Sequence, residues 1–469
     1  MRDKLVLLEF NELCPSLLQQ WMAAGDLPNF KKFFNESDSF VTVADEPEGA
    51  NLEPWIQWYS MHTGLSFQQH KVFHLTDGPG AGHDDIWQVL RRHGKGVGNF
   101  SSMNAKRFDG ERSFYVPDPW CTSQRAFPDE LNRFHRVVGK KVQEYSNSSD
   151  SLGMKDYTEF LSFLVTHGLR PTTVLAILRT LAEEVTSRGG AGWKRAVLLD
   201  KLQYDVFACY MRKYQPDFAT FFINSTAHYQ HSFWRHMAPE AFVNKPDETE
   251  RARYKDAILF GYQQMDRLLG DFFKLEADGI TLILATALSQ QPYLKYESIG
   301  GHNFYRPRNI EALLQRLGID YSAVYPVMTH QYVVHFDQPK AMEAARVRIG
   351  DLTYEGAPVF EIQPGVENSI YIGNQVRTRL PEDAQMQDAR MPGQSLPYFG
   401  TFYRIDGIKS GRHHPDGVLW FKGGRRAEHS DKISILDVFP TLLEHYDVEL
   451  PRNNRFGYEG KSVYGQLAA

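Results

Sequence analysis

The chain has 469 residues, 42% of them hydrophobic, with a net charge of −5 and a mean hydropathy of −0.44. That length suits one large α/β core carrying insertions, and the mild acidity excludes the basic footprint of a nucleic-acid binder. Three widely spaced cysteines, Cys14, Cys121 and Cys209, form no CxxC pair or disulfide framework, which suits a reducing compartment.

In chain order, Lys4 to Phe10 reads as a buried strand ending at Asn11-Glu12. Its apolar run, Leu5 to Leu8, is too short for a signal peptide, and no later stretch reaches transmembrane length, so a cytoplasmic location is expected. Pro15 to Ala24 has the i, i+3/i+4 spacing of a helix that stops at Gly25, and a short helix follows from Leu27-Pro28. Val41 to Ala44 reads as a strand. Pro54 then suits the first turn of a helix that runs to a stop at Gly64. Asp84 to His93 reads as a helix and Gly96 to Phe100 as a strand, giving the β-α-β rhythm of a parallel, doubly wound sheet.

From Pro117 to Gln215 that rhythm gives way to helical patterns at Tyr157 to Thr166, Thr172 to Ser187 and Trp193 to Tyr214, with a polar turn at Ser146 to Ser151. Asp217 to Trp234 restores the rhythm. Phe218 to Ile223 is a fully apolar strand that empties into Asn224, His228 and His231. In an open α/β sheet, chemistry gathers at such carboxyl edges. Glu250 to Leu275 is expected as one long helix, Thr281 to Leu284 as a strand and Asn309 to Leu317 as a helix. Short alternating runs between Tyr325 and Pro397 read as a β-rich insertion, and Tyr403 to Phe421 and Ile433 to Tyr446 return to strand and helix.

Several segments resemble the alkaline phosphatase superfamily, in particular its type I phosphodiesterase/nucleotide pyrophosphatase branch, which is sulfatase-like. LVLLEFNELCPSLLQQWMAAGDLPNFKKFF is similar to its first strand, helix and G-x-L-P-N segment. WYSMHTGLSFQQHKVF, AHYQHSFW, GRHHPDGVLWFKGG and ISILDVFPTLL resemble later signatures. The resemblance implies a three-layer α/β/α sandwich with a mostly parallel central sheet. The core would comprise residues 1–116, 216–324 and 398–469, with a helical cap at 117–215 and a second α+β insertion at 325–397. It also implies two divalent metals and a Ser or Thr nucleophile, a set this chain keeps only in part. Asn11 stands where the first Asp is expected. Asn51, Leu52 and Glu53 precede Pro54 at the nucleophile position, and Ala227 replaces another Asp. Thr286-Ala287-Leu288-Ser289 aligns with S-D-H-G. His231 and His413 survive, with His414 beside the latter.

Three readings follow. One is a hydrolase or group transferase on phosphate or sulfate (di)esters with a rebuilt site. Glu53, Asn11, Glu12 and His228 are then its catalytic candidates, and His231 and His413 its metal ligands, completed by Asn11 or His302 around one divalent ion, zinc or manganese. The second is metal-independent glycosyl transfer or hydrolysis, with Glu53 paired with Glu12 or Glu9, or alternatively with His231 or His413, and Trp55, Trp58, Tyr59, Phe233 and Trp234 stacking on sugar. The third is a retired enzyme that binds a ligand or partner. The expected ligand is a small molecule, a glycan or a phosphoester, not nucleic acid.

Overall fold

The computed structural model describes residues 4–467 except 122, 144–151, 328–329, 366, 406, 453 and 455–456. The turn expected at Ser146 to Ser151 lies outside the described residues. Nine strands matter here: β1 (Lys4–Phe10), β2 (Ser37–Val43), β3 (Val97–Phe100), β4 (Phe114–Val116), β5 (Phe218–Ile223), β6 (Ile280–Thr286), β7 (Ser289–Pro292), β8 (Gly411–His414) and β9 (Asp416–Lys422). The central sheet runs β2-β9-β6-β1-β5-β3-β4, with two short strands added at the β2 edge. From β6 to β4 all neighbours are parallel, and β9 is antiparallel to both β2 and β6. This is the expected mostly parallel sheet.

β1 lies at the centre, with Leu8 opposite Phe221 of β5 and Leu284 of β6. Its side chains alternate between faces. Val6, Leu8 and Phe10 enter one core, where Phe207 and Phe272 pack from helices. Leu5 and Leu7 enter the other, with Trp58, Trp87 and Phe439. Helices on both faces complete three layers and bring every parallel strand's carboxyl end to the same edge.

The two interruptions differ in attachment. Helices Met154–Thr166 and Pro171–Thr186 sit outermost, and Leu161, Val165, Leu175, Leu178 and Val185 remain exposed on them. The following helix, Ala196–Tyr214, packs on the sheet instead, with the rings of Phe207 and Phe221 5.0 Å apart. The second interruption has its own core of Leu314, Tyr332, Ile370 and Phe402 over a four-stranded sheet made from Ala323–Pro326, Gln331–His335, Phe360–Pro364 and Ser369–Asn374. The single helix expected from Glu250 to Leu275 is two helices, Glu248–Tyr254 and Ala257–Phe272, followed by a 3-10 turn. Among the described residues, no helix is long and apolar enough to cross a membrane.

Just past β4, Asp118 is buried. Its Oδ1 accepts from Trp120 N at 2.7 Å, but its Oδ2 has no partner. Burial pushes its carboxyl up to about 7 against a small opposing effect of that hydrogen bond. A folded-state pKa above the unfolded one means no penalty in acid and a growing penalty as pH rises toward the folded value. Asp118→Asn should therefore gain on the parent in urea unfolding between pH 4 and pH 8, by roughly 3 kcal/mol at the upper end. Parallel pH profiles for the two proteins would refute this.

Candidate functional site

The loop leaving β1 is the centre of the strand-end cluster. Glu12 adopts φ = 63°, a left-handed conformation that costs a non-glycine residue on the order of 1 kcal/mol. Its backbone is held there from both sides. Its N–H donates to Thr286 Oγ1 at 2.9 Å, and its carbonyl accepts from Gln230 Nε2 at 2.7 Å. Tyr262 then bonds both Gln230 Oε1 and Cys14 N, which locks the loop to the helix behind it.

This backbone turn aims the Glu12 carboxylate between two imidazoles. Oε2 lies 3.4 Å from His231 Nε2, and Oε1 lies 3.6 Å from His413 Nε2. The two rings are 5.2 Å apart and nearly perpendicular. Each carboxylate oxygen is also steadied by an amide, Oε1 by Asn11 Nδ2 at 3.0 Å and Oε2 by Gln290 Nε2. Asn11 in turn accepts from Trp58 Nε1 at 2.8 Å and donates to Asn224 Oδ1 at 2.7 Å. His231 Nδ1 donates to the Gly411 carbonyl at 3.0 Å, which fixes the ring with Nε2 facing Glu12.

His413 is delivered by the β7–β8 ribbon, where it pairs with Gln290. Its other nitrogen, Nδ1, lies 3.5 Å from Glu53 Oε2. Glu53 occupies the N-cap of the helix Pro54–Thr63, with extended backbone and Pro54 at the first helical position. His228 sits on the first turn of the helix Ser225–Met237. It is exposed at the surface.

The ionisation states diverge across a few ångströms. Burial opposes the Glu12 charge, but His413, His231 and the hydrogen bonds from His231 and Gln290 outweigh it and bring the pKa to about 2. Burial also drives His413 down to about 3, with His231 and Lys409 contributing against the pull of Glu12. An ionised carboxylate thus faces a neutral imidazole, the states that metal ligation requires. Glu53 is raised to about 7 by burial, with Glu12 adding and Lys409 opposing.

One ligand atom from each of Glu12, His231 and His413 lies within 4.8 Å of the others. Ligands bound at about 2.0–2.1 Å on a tetrahedron stand roughly 3.3 Å apart; each imidazole lies near that distance from a different Glu12 oxygen, 3.4 Å from Oε2 and 3.6 Å from Oε1. The donor set, two imidazoles and a carboxylate with second-shell bonds in place, fits one divalent ion. Neither Asn11 nor His302 completes the set as expected from the sequence. Asn11 spends its amide bracing Glu12, Asn224 and Trp58. His302 stands in a separate aromatic cluster, 4.4 Å from Tyr296 and 4.2 Å from Phe304 between ring centres.

Of the aromatics proposed for sugar stacking, Trp58, Tyr59, Phe233 and Trp234 are buried in the cores, leaving only Trp55 half-buried. Glu9 is also removed from the cluster, fully buried and paired with His62 Nε2 at 2.8 Å. Gln230 and Lys409 were not legible as site residues. Gln230 neighbours a histidine on a different helix face, and Lys409 carries no motif.

A side chain at Gly411 would collide with the Gln290 side chain, the Gln230 carbonyl and the Trp234 ring, the groups that brace Glu12 and His231. Gly411→Ala should lower stability by about 1–3 kcal/mol and weaken zinc binding, read by thermal unfolding and by zinc titration. Parental values in both assays would contradict the packing described.

No family model matches the sequence, and no curated protein matches it. Among solved structures, the chain is similar to the wild-type alkaline phosphatase PafA at 14% identity and a TM-score of 0.47, with 99% of this chain and 98% of that one covered. It is similar to the murine ectonucleotide pyrophosphatase/phosphodiesterase 5 at 11% identity and 0.41, with 99% and 100% covered. The phosphonoacetate hydrolase of Sinorhizobium meliloti aligns at 12% identity and 0.41, with 93% and 94% covered. These likenesses are distant, and none assigns a role to a residue of this chain.

Proposed function

We propose that the protein is a hydrolase or group transferase of phosphate or sulfate esters, built on a single-ion site. The observation that carries this reading is the Glu12 carboxylate set between His231 and His413. It supplies, from the residue after Asn11, the anionic ligand missing at Ala227. Glu12, His231 and His413 would hold the ion, zinc or manganese, and when bound it supplies Lewis-acid stabilisation of negative charge on the ester oxygens.

The remaining work falls to side chains. Glu53 sits beside His413 where the resemblance expects a nucleophile, and it titrates near neutrality, as a general base should. Its carboxylate takes a proton from the attacking water or acceptor hydroxyl as the new bond to phosphorus or sulfur forms and the ester bond breaks. The same carboxyl then returns that proton to the leaving oxygen. His413 Nδ1 orients Glu53, and Asn11 and Gln290 keep Glu12 in place.

A second reading has its own support. Glu12 is held low and Glu53 high, the split that distinguishes a stabilising carboxylate from an acid–base carboxyl. Glycosyl chemistry without metal could use that pair. The retired-enzyme reading gains less, because a strained, buried and ionised Glu12 costs stability that a scaffold has no need to spend.

A panel of phosphodiesters, phosphate monoesters and sulfate esters tests the proposal. Turnover should disappear on chelation and return with zinc or manganese. Glu53→Gln should lower kcat by about 10²–10⁴ in a folded protein. Chelator-resistant turnover that still requires Glu53 would favour the carboxylate reading, and absence of turnover on every ester class would overturn the proposal.

A further inference from the structure

Beside the Glu12 cluster, the seam between the central core and the second insertion gathers cations and imidazoles around a stack of rings. The His302 ring lies 4.2 Å from Phe304, and Phe304 lies 4.8 Å from His330. The Arg377 guanidinium stands 5.7 Å over the Phe304 ring, with Nη2 3.4 Å from His330 Nε2. Lys409 donates its backbone N–H to the His302 carbonyl at 3.2 Å. Its ammonium is within electrostatic reach of His302, His330, His413 and Glu53.

Hydrogen bonding within this cluster is incomplete. His302 is 9% exposed, and neither of its ring nitrogens has a partner; His330 Nδ1 also lacks one. Leaving such buried groups unpaired is costly, because each gives up its hydration without a replacement bond. Among the described residues, neither Arg377 nor Lys409 forms an ion pair. Glu361 influences Arg377 only at a distance, and the other anionic influences on it are tyrosines. Burial and the neighbouring cations keep both imidazoles neutral, His302 at about 3 and His330 well below its usual value. Two cations with no direct ion pair, and several idle imidazole nitrogens, are complementary to a compact oxyanion.

The cluster is also linked through the chain to the proposed reaction centre. Lys409 precedes Ser410, whose N–H donates to the His231 carbonyl at 2.8 Å, and Gly411, which accepts from His231 Nδ1. We propose that His302, His330, Arg377 and Lys409 form a subsite for a second anionic group, a phosphate or sulfate, on the substrate whose ester bond lies at Glu12, His231 and His413. This assignment rests on the ester-transfer reading. The substrate class is therefore an ester that carries a second phosphate or sulfate.

Calorimetric titration of inorganic phosphate into chelator-treated, full-length His231→Ala protein tests the subsite with the reaction centre disabled. Failure here is thus distinct from failure of the ester reading. One saturable site is expected, weakened tenfold or more by adding Lys409→Met or Arg377→Gln. Lys409 has a half-exposed side chain, so its substitution remains informative even if Arg377→Gln does not fold. No saturable binding, or binding indifferent to Lys409→Met, overturns the proposal. A second arm separates a substrate group from a free anion. In the zinc-loaded parent, propane-1,3-diol bisphosphate should bind at least tenfold more tightly than phosphate, and Lys409→Met should remove that advantage. Equal affinities would overturn the substrate assignment.

Discussion

The contact on which the site depends is the carboxylate of Glu12 shared between His231 and His413. Three separate pieces of chain must meet for it to exist: the end of β1, the helix after β5 and the β8 ribbon. The left-handed turn at Glu12 aims the carboxylate, while Thr286 and Gln230 hold that turn. The buried charge is tolerated because two imidazoles and two amides surround it. Removing one partner would leave a buried carboxylate short of support, which is more costly than the bond itself.

From this contact the surrounding roles become distinct. Asn11 and Gln290 each bond a Glu12 oxygen, and Asn11 Oδ1 is itself taken by Trp58 Nε1. Glu53 meets the cluster at His413 Nδ1, and the Glu12 charge adds to the rise in its pKa. Lys409 of the cationic seam lies shortly before His413 on the same stretch of chain.

Much of the fold was legible because its signals are local. Phe218 to Ile223 is apolar throughout, as a strand buried on both faces must be, and its bounds agree with the structure. Pro54 and Gly64 mark the start and stop of their helix for reasons of backbone geometry alone. The helix Ala196–Tyr214 was harder to place. Its pattern shows an apolar face but not whether that face meets the sheet or a cap. The break near Lys255 carries no Gly or Pro signal and was missed. The site was legible only in outline. His231, His413, Glu12 and Glu53 stand out at strand ends and caps. That Glu12, rather than Asn11 or His302, lies between His231 and His413 depends on a backbone dihedral and on contacts from residues over 200 positions away, Gln230 and Thr286, which sequence spacing cannot reveal.

The most direct test of the central claim is metal content per chain, measured on protein purified without chelators or metal-affinity resin, for the parent and for Glu12→Gln. The amide keeps the shape and hydrogen-bonding reach of Glu12 but removes its charge. The account predicts about one equivalent of zinc or manganese in the parent and a metal-poor Glu12→Gln variant that remains folded. A metal-free parent, or equal metal content in both proteins, would contradict it.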